Sequence, residues 1–127
     1  MTAVVYQGAH LLTQDPALGE LVGDLMIVDG RIAAVGTHFD VPANASVVDA
    51  AGKVIVPGFV DTHRHMWETA LRGAATWTDY LGYARIIRAE FGGLITPEDA
   101  YAGDLLGALG ALEAGITTVR DESHVQN

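Results

Sequence analysis

The sequence contains no cysteine, and its seven basic residues stand against sixteen acidic ones, a net charge of −9. Without thiolates there is no disulfide framework and no sulfur-ligated metal, so any ion must be held by His, Asp or Glu. So few Lys and Arg argue against a nucleic-acid partner, whose phosphates need clustered cations. The acidity itself reads as solubility. No apolar run approaches the roughly 20 residues of a membrane span, because Gly, Asp or Arg interrupts each one. The first residues lack a basic stretch followed by an apolar one, so no secretory signal is expected and the cytoplasm is the default location. Also missing are the Gly-x-x-x-x-Gly-Lys phosphate loop, the Gly-x-Gly-x-x-Gly fingerprint, the His-Glu-x-x-His helix and the Gly-x-Ser-x-Gly elbow.

What remains is a chain of 127 residues, half of them hydrophobic, enough for a real core. Residues 3–56 read as short strands separated by turns. Ala3–Leu12 is β-rich and ends near Asp15-Pro16. Two apolar runs, 24–28 and 31–35, flank Asp29-Gly30, the strongest short hairpin signal because both turn positions want φ > 0. Ser46–Asp49 adds a strand before the Ala51-Gly52 turn. The expectation is a small antiparallel sheet, thin by itself and needing a second sheet to cover it.

The pattern changes at Val54. Residues 54–61 form a near-continuous apolar run, as in a strand buried on both faces of a parallel sheet. Pro57 cannot donate to a central ladder, so the strand is expected to start at Phe59 with Pro57-Gly58 as a corner. A clear helix comes later: Thr96 as N-cap, Pro97 in the first turn, then Glu98 and Asp99. Tyr101, Leu105, Leu109 and Leu112 recur at helical spacing as one apolar stripe, and Gly115 is the natural stop. Residues 116–121 are β-branched and read as the next strand, completing a β-α-β unit. The stretch 66–95 is far longer than a usual connection and is expected to hold a helix near residues 79–90.

Asp61-Thr62-His63-Arg64-His65 closes the first strand of that unit. Side chains alternate along a strand, so Asp61, His63 and His65 share one face and Thr62 and Arg64 the other. Imidazoles two residues apart, about 6 to 7 Å along the strand, can converge on one ion above its end. Five histidines in 127 residues give about 0.2 His-x-His pairs by chance, so the bare triplet fits a surface pair as well as a metal pair. Its place, capping a buried apolar strand after a Pro-Gly corner, favours the metal.

The segment Val56-Pro57-Gly58-Phe59-Val60-Asp61-Thr62-His63-Arg64-His65 resembles the signature of the amidohydrolase superfamily. More narrowly it is similar to the branch of cytosine deaminase, guanine deaminase and s-triazine hydrolases. Residues 114–121 resemble that branch's second barrel strand, and Asp29-Gly30-Arg31-Ile32 with Gly36 its N-terminal sandwich. The resemblance implies an α/β fold: N-terminal β-sandwich strands (residues 1–56) and the first β-α-β segment of a (β/α)8 TIM-type barrel (residues 57–127), incomplete in this chain. It implies a metal-dependent hydrolase of non-peptide carbon–nitrogen bonds, with His63 and His65 as ligands of a divalent metal, zinc or iron. A small-molecule substrate and a homo-oligomer, once the protein is complete, belong to the same expectation.

A full barrel needs about 250 residues, and the family's later His and Asp ligands lie beyond Asn127. The isolated chain is therefore expected to be inactive, its barrel completed in cis or by a second chain. A truncated or non-catalytic subunit, and a lactone, cyclic amide or dechlorination hydrolase, stay open as alternatives. His10 and His38 fall in the sandwich region and read as structural or solvated. Trp67 and Glu68, in the loop above the barrel mouth, are expected to touch substrate, Trp67 by stacking and Glu68 by accepting an N–H. His124 is expected to line the same pocket, and Asp61 and Asp121 to support the ligands from behind. The bland readings are loop packing for Trp67 and an ordinary polar loop for residues 122–124.

Overall fold

The structure is a computed structural model describing residues 2–124. The chain divides into two compact units, Met1–Pro57 and Gly58–Asn127. Each is described by itself.

The first unit is one five-stranded sheet built around β1 (Ala3–Leu12). β2 (Glu20–Val28) runs antiparallel to it, and β3 (Arg31–Gly36) antiparallel to β2. The two-residue Asp29-Gly30 turn joins β2 and β3 with both φ angles positive, 48° and 77°, as its composition requires. β4 (Ser46–Asp49) and β5 (Val54–Ile55) then pair with β1 in parallel. The sheet is therefore mixed, correcting the all-antiparallel expectation. The chain must return past the sheet between Gly36 and Ser46, and no local turn signal reveals the direction of a strand paired at that distance.

Period-two burial along β1 puts Ala3, Val5, Ala9 and Leu11 inside, with Leu25 and Ala50 against them. The bulge between Tyr6 and Ala9 is turned by Gly8 at φ 72°, whose N–H donates to the Asp24 carboxylate at 2.9 Å. The core is small, as expected of a thin sheet. An apolar recess of about 300 Å³, lined by Leu11, Leu25, Ile32, Val35 and Ile55, stays open on it.

In the second unit, β6 (Phe59–Arg64) and β7 (Ile116–Asp121) pair in parallel. Between them come a 3-10 turn (Met66–Leu71), the short α1 (Tyr80–Tyr83) running on as a π-helical stretch (Ala84–Phe91), and α2 (Pro97–Glu113). α2 starts in a full capping box, the Thr96 hydroxyl taking the Asp99 N–H while the Asp99 carboxylate takes the Thr96 N–H. Hydrogen bonds from Thr96 hold the Asp99 carboxyl below its usual pKa. Gly115 at φ 77° ends the helix and turns the chain into β7.

The face that α2 buries is not the leucine stripe. Tyr101, Leu105, Leu109 and Leu112 are 70, 46, 52 and 64% exposed, while Gly103, Gly107 and Ala111 are buried. At about 100° per residue, positions two apart lie on opposite sides of a helix. Gly103 and Gly107 sit against the backbone of Trp67 and the Met66 and Thr69 side chains. Only a face almost without side chains can approach the 3-10 turn so closely. A cluster of Trp67, Ile86 and Ile87, with Leu71, Ala75, Tyr83 and Ile95 around it, fixes the turn to the π-helical stretch.

Candidate metal centre

β6 ends at Arg64, and His65 is the first residue beyond it. The His63 and His65 rings meet there, centroids 5.1 Å apart and planes at 84°. His65 Nδ1 lies 2.7 Å from the Glu122 carbonyl oxygen, which can only accept. That ring nitrogen is therefore the donor, which in the neutral ring leaves the Nε2 lone pair free. Glu122 is held in place in turn, its N–H donating to the Arg64 carbonyl at 2.7 Å.

The remaining predicted residues gather around this point to different degrees. Asp61 accepts from the His63 backbone N–H at 3.1 Å and approaches the Arg64 guanidinium at 3.5 Å. The ladder loses register between Asp61 and Arg64, so the strict alternation that put these two on opposite faces fails there. Asp121 accepts from the Met66 N–H at 2.9 Å and so pins the start of the 3-10 turn directly after His65. Glu68 takes the Tyr83 hydroxyl on both carboxylate oxygens, at 2.9 and 2.8 Å. Burial, then this bond, raises the Tyr83 pKa, which keeps the phenol a donor. Glu68 and Tyr83 also wall a cavity of about 250 Å³ with Leu71, Arg72, Ala75 and Ile87.

His124 packs 4.5 Å, centroid to centroid, from His65, and its Nδ1 is 3.8 Å from Glu68. Burial first, then Arg88 and His65, push its pKa down against the pull of Glu68 and Glu122. In its neutral form the ring keeps one nitrogen lone pair available. Trp67 is corrected. The ring is 2% exposed and packed on Ile86 and Ile87, so it anchors the turn and offers no face for stacking. Its ring centroid lies 6.4 Å from that of His124, with the planes at 81°. His10 and His38 lie in the first unit, exposed, beside Glu20 and Thr37.

Tyr83 packs in the cluster around Trp67, as an aromatic of the loop helix is expected to, but its bond to Glu68, fifteen residues away, has no local signal in the sequence. Asp104, on α2, is not among the expected site residues. Asp104 Oδ1 is buried with no hydrogen-bond partner among the described residues, and burial followed by the Asp121 charge raises its pKa. An acid whose folded pKa exceeds its unfolded value of 3.8 destabilises the fold once pH rises through that window, and costs nothing well below it. Asp104→Asn is therefore expected to stabilise the protein at neutral pH. The gain should vanish as pH falls to 3.8, read from urea midpoints across pH.

The donors fit a divalent ion of borderline softness. Imidazole nitrogens and a carboxylate, one of each kind already oriented by a second group, suit zinc or iron.

Residues 54–126 match the amidohydrolase family. A 5'-deoxyadenosine deaminase from Methanosarcina mazei is 34% identical over 125 residues, covering 95% of this chain and 28% of its own length. The N-isopropylammelide isopropylaminohydrolase of Burkholderia multivorans superposes with a TM-score of 0.67 at 28% identity, over 97% of this chain and 30% of that one. A variant of atrazine chlorohydrolase from Arthrobacter aurescens, solved with zinc and atraton, superposes with a TM-score of 0.80 at 24% identity. That match covers 93% of this chain and 28% of the other, and shows the shared fold. The chain belongs to the amidohydrolase family. It spans about 28% of the length of the deaminase that it matches.

Proposed function

We propose that this chain forms the opening part of a metal-dependent hydrolase that cleaves a non-peptide carbon–nitrogen bond, deaminating a cyclic or heteroaromatic substrate. The observation that carries this reading is the paired His63 and His65 rings at the end of β6, with the Glu122 carbonyl setting the His65 tautomer. A strand end of this kind is where barrel enzymes assemble their sites. Residues 57–127 would be the first β-α-β segment of such a (β/α)8 barrel, and residues 1–56 part of its flanking sandwich. The named activity of the 34% identical relative, deamination of a purine nucleoside, supports the substrate class.

A divalent ion at His63 and His65, zinc first, would supply the Lewis acidity that activates water toward the substrate carbon. Water adds to the carbon bearing the amino group, the C–N bond breaks, and the nitrogen leaves as ammonia with the proton that water gave up. Within this chain, His63 and His65 hold the ion, and Asp61 and Asp121 steady the backbone on either side of the pair. Glu68, fixed by Tyr83, faces the 250 Å³ cavity as an acceptor for a substrate N–H. The remaining ligands would come from the rest of the barrel, in cis or from a second chain, so these 127 residues alone should not turn over substrate.

The test is ammonia release from adenosine-type and triazine-type amines by a polypeptide containing this chain and a completed barrel. Activity should disappear on chelation and return with zinc, and His63→Ala should lower kcat/KM by at least 100-fold. Undiminished turnover by His63→Ala, or turnover indifferent to chelation, would overturn the proposal.

A further inference from the structure

The chain carries seven cationic side chains, and all but Arg88 have an evident partner or solvent. Arg64, Arg85 and Arg120 are paired with Asp61, Glu90 and Glu122. Arg31, Lys53 and Arg72 are exposed to water. Arg88 is half-buried, and its Nε is buried with no hydrogen-bond partner among the described residues. None of the ion pairs among those residues includes it. A guanidinium drawn out of water without a counter-ion weakens the fold unless something else compensates it.

The local backbone fixes this cation in place. Arg88 lies in the π-helical stretch, where the Gly92 N–H reaches back five residues to the Ile87 carbonyl at 2.8 Å. Tyr83 and Arg88 have the same separation, and the guanidinium carbon stands 5.7 Å from the centre of the Tyr83 ring. Such π-helical pieces occur frequently at functional sites. The ring attracts the charge, and the phenol oxygen can take one N–H, but Nε–H stays without an acceptor. After burial, Arg88 is the strongest influence lowering the His124 pKa, and the His124 ring packs 4.5 Å from His65. The unpaired cation therefore belongs to the surroundings of the histidine pair.

We infer that Arg88 is a specificity-determining residue of this site, receiving a carboxylate that the substrate carries away from the C–N bond that breaks. This rests on the function proposed above and adds an anionic substituent to its substrate class. The planar guanidinium fork matches a carboxylate, donating two parallel N–H bonds. A site whose counter-ion arrives with the substrate rejects an analogue lacking that group, because the buried donor is then left unsatisfied. Glu68 does not fill this role, since the Tyr83 hydroxyl engages its two oxygens at 2.9 and 2.8 Å. Glu68 accepting an N–H and Arg88 donating to a carboxylate would read two different parts of one substrate.

The experiment uses the polypeptide with a completed barrel and two matched pairs of amines. One pair is adenosine 5'-carboxylate and its carboxamide, the other a diaminotriazine carboxylate and its carboxamide. Ammonia release gives kcat/KM, and calorimetry with the chelated, metal-free protein gives binding without turnover. The parent should prefer the carboxylate by at least about tenfold in both measures on one scaffold, the scale of a charged hydrogen bond. Arg88→Gln keeps most of the stem but loses the charge, and should cut that preference to about twofold or less. Arg88→Lys should keep part of it, because an ammonium has the charge without the fork. Far-UV circular dichroism and urea midpoints check that the variants are folded. A guanidinium that only packs on Tyr83 would give Arg88→Gln a lower midpoint with an unchanged carboxylate preference, and that result overturns the inference. A parent that turns over both members of a pair equally also overturns it, while the proposed function stands. Arg88-dependent carboxylate binding without ammonia release from any of these amines upholds the inference and counts against the proposed function. If the parent neither binds nor turns over any of them, both are overturned.

Discussion

Trp67→Ala is expected to destabilise the second unit by about 3–5 kcal/mol, the loss typical of removing a large buried aromatic. Trp67 is the largest side chain in its cluster and 2% exposed, with Ile86 and Ile87 closing over it. No other contact in that cluster could replace the missing volume, because its neighbours Leu71, Ala75 and Ile95 are smaller and already partly exposed. Trp67→Phe should lose less than half as much. It keeps a ring in the cluster and removes an indole N–H that is buried with no partner among the described residues, a group that weakens the fold as long as it is there. Chemical denaturation of the three proteins checks the order. A Trp67→Ala chain as stable as the parent would mean that the indole does not hold the turn. The same truncation should also loosen Glu68, the next residue, from its bond to Tyr83.

Much of the backbone was legible because its signals are local. Thr96-Pro97 and Asp99 mark the start of α2, Gly115 its end, and Asp29-Gly30 the β2–β3 turn. Each of these residues does its work within about four positions of itself. The illegible features depend on partners far along the chain. Nothing near residues 46–49 or 54–55 says that β4 and β5 lie parallel to β1. Nothing near Glu68 names Tyr83, and nothing near Trp67 says that Ile86 and Ile87 will close over it. His63 and His65 stood out through spacing and strand position, whereas His124 joins them only because β7 pairs beside β6. Hydrophobicity misled at the run 54–61, where Val54, Val56, Phe59 and Val60 are exposed and not buried on both faces, and again at α2, there for a specific reason. It marks leucines as the buried face of a helix, but α2 meets backbone, and backbone is met best by glycine.

That close approach makes a prediction of opposite signs within one helix. Gly103→Ala should destabilise the protein by a net ~1–3 kcal/mol, the range for forcing extra volume into a packed contact. Alanine favours helix over glycine by about 1 kcal/mol, so propensity alone predicts a gain. The added methyl at Gly103 would instead run into the Trp67 carbonyl oxygen, with the Trp67 carbonyl carbon 3.0 Å away. These are backbone atoms, and they cannot move without shifting the 3-10 turn that carries Glu68. At Gly110 the same methyl meets nothing within 4 Å, and the position is exposed. Gly110→Ala should therefore stabilise by about 0.5–1 kcal/mol, free of any steric penalty. Thermal or urea unfolding of the two variants against the parent decides the matter. Gains at both positions would mean that α2 does not press on the turn, and equal losses would mean that propensity does not govern its exposed side. A loss at Gly103 beside a gain at Gly110 would establish that the glycines, not the leucines, seat this helix and so position Glu68.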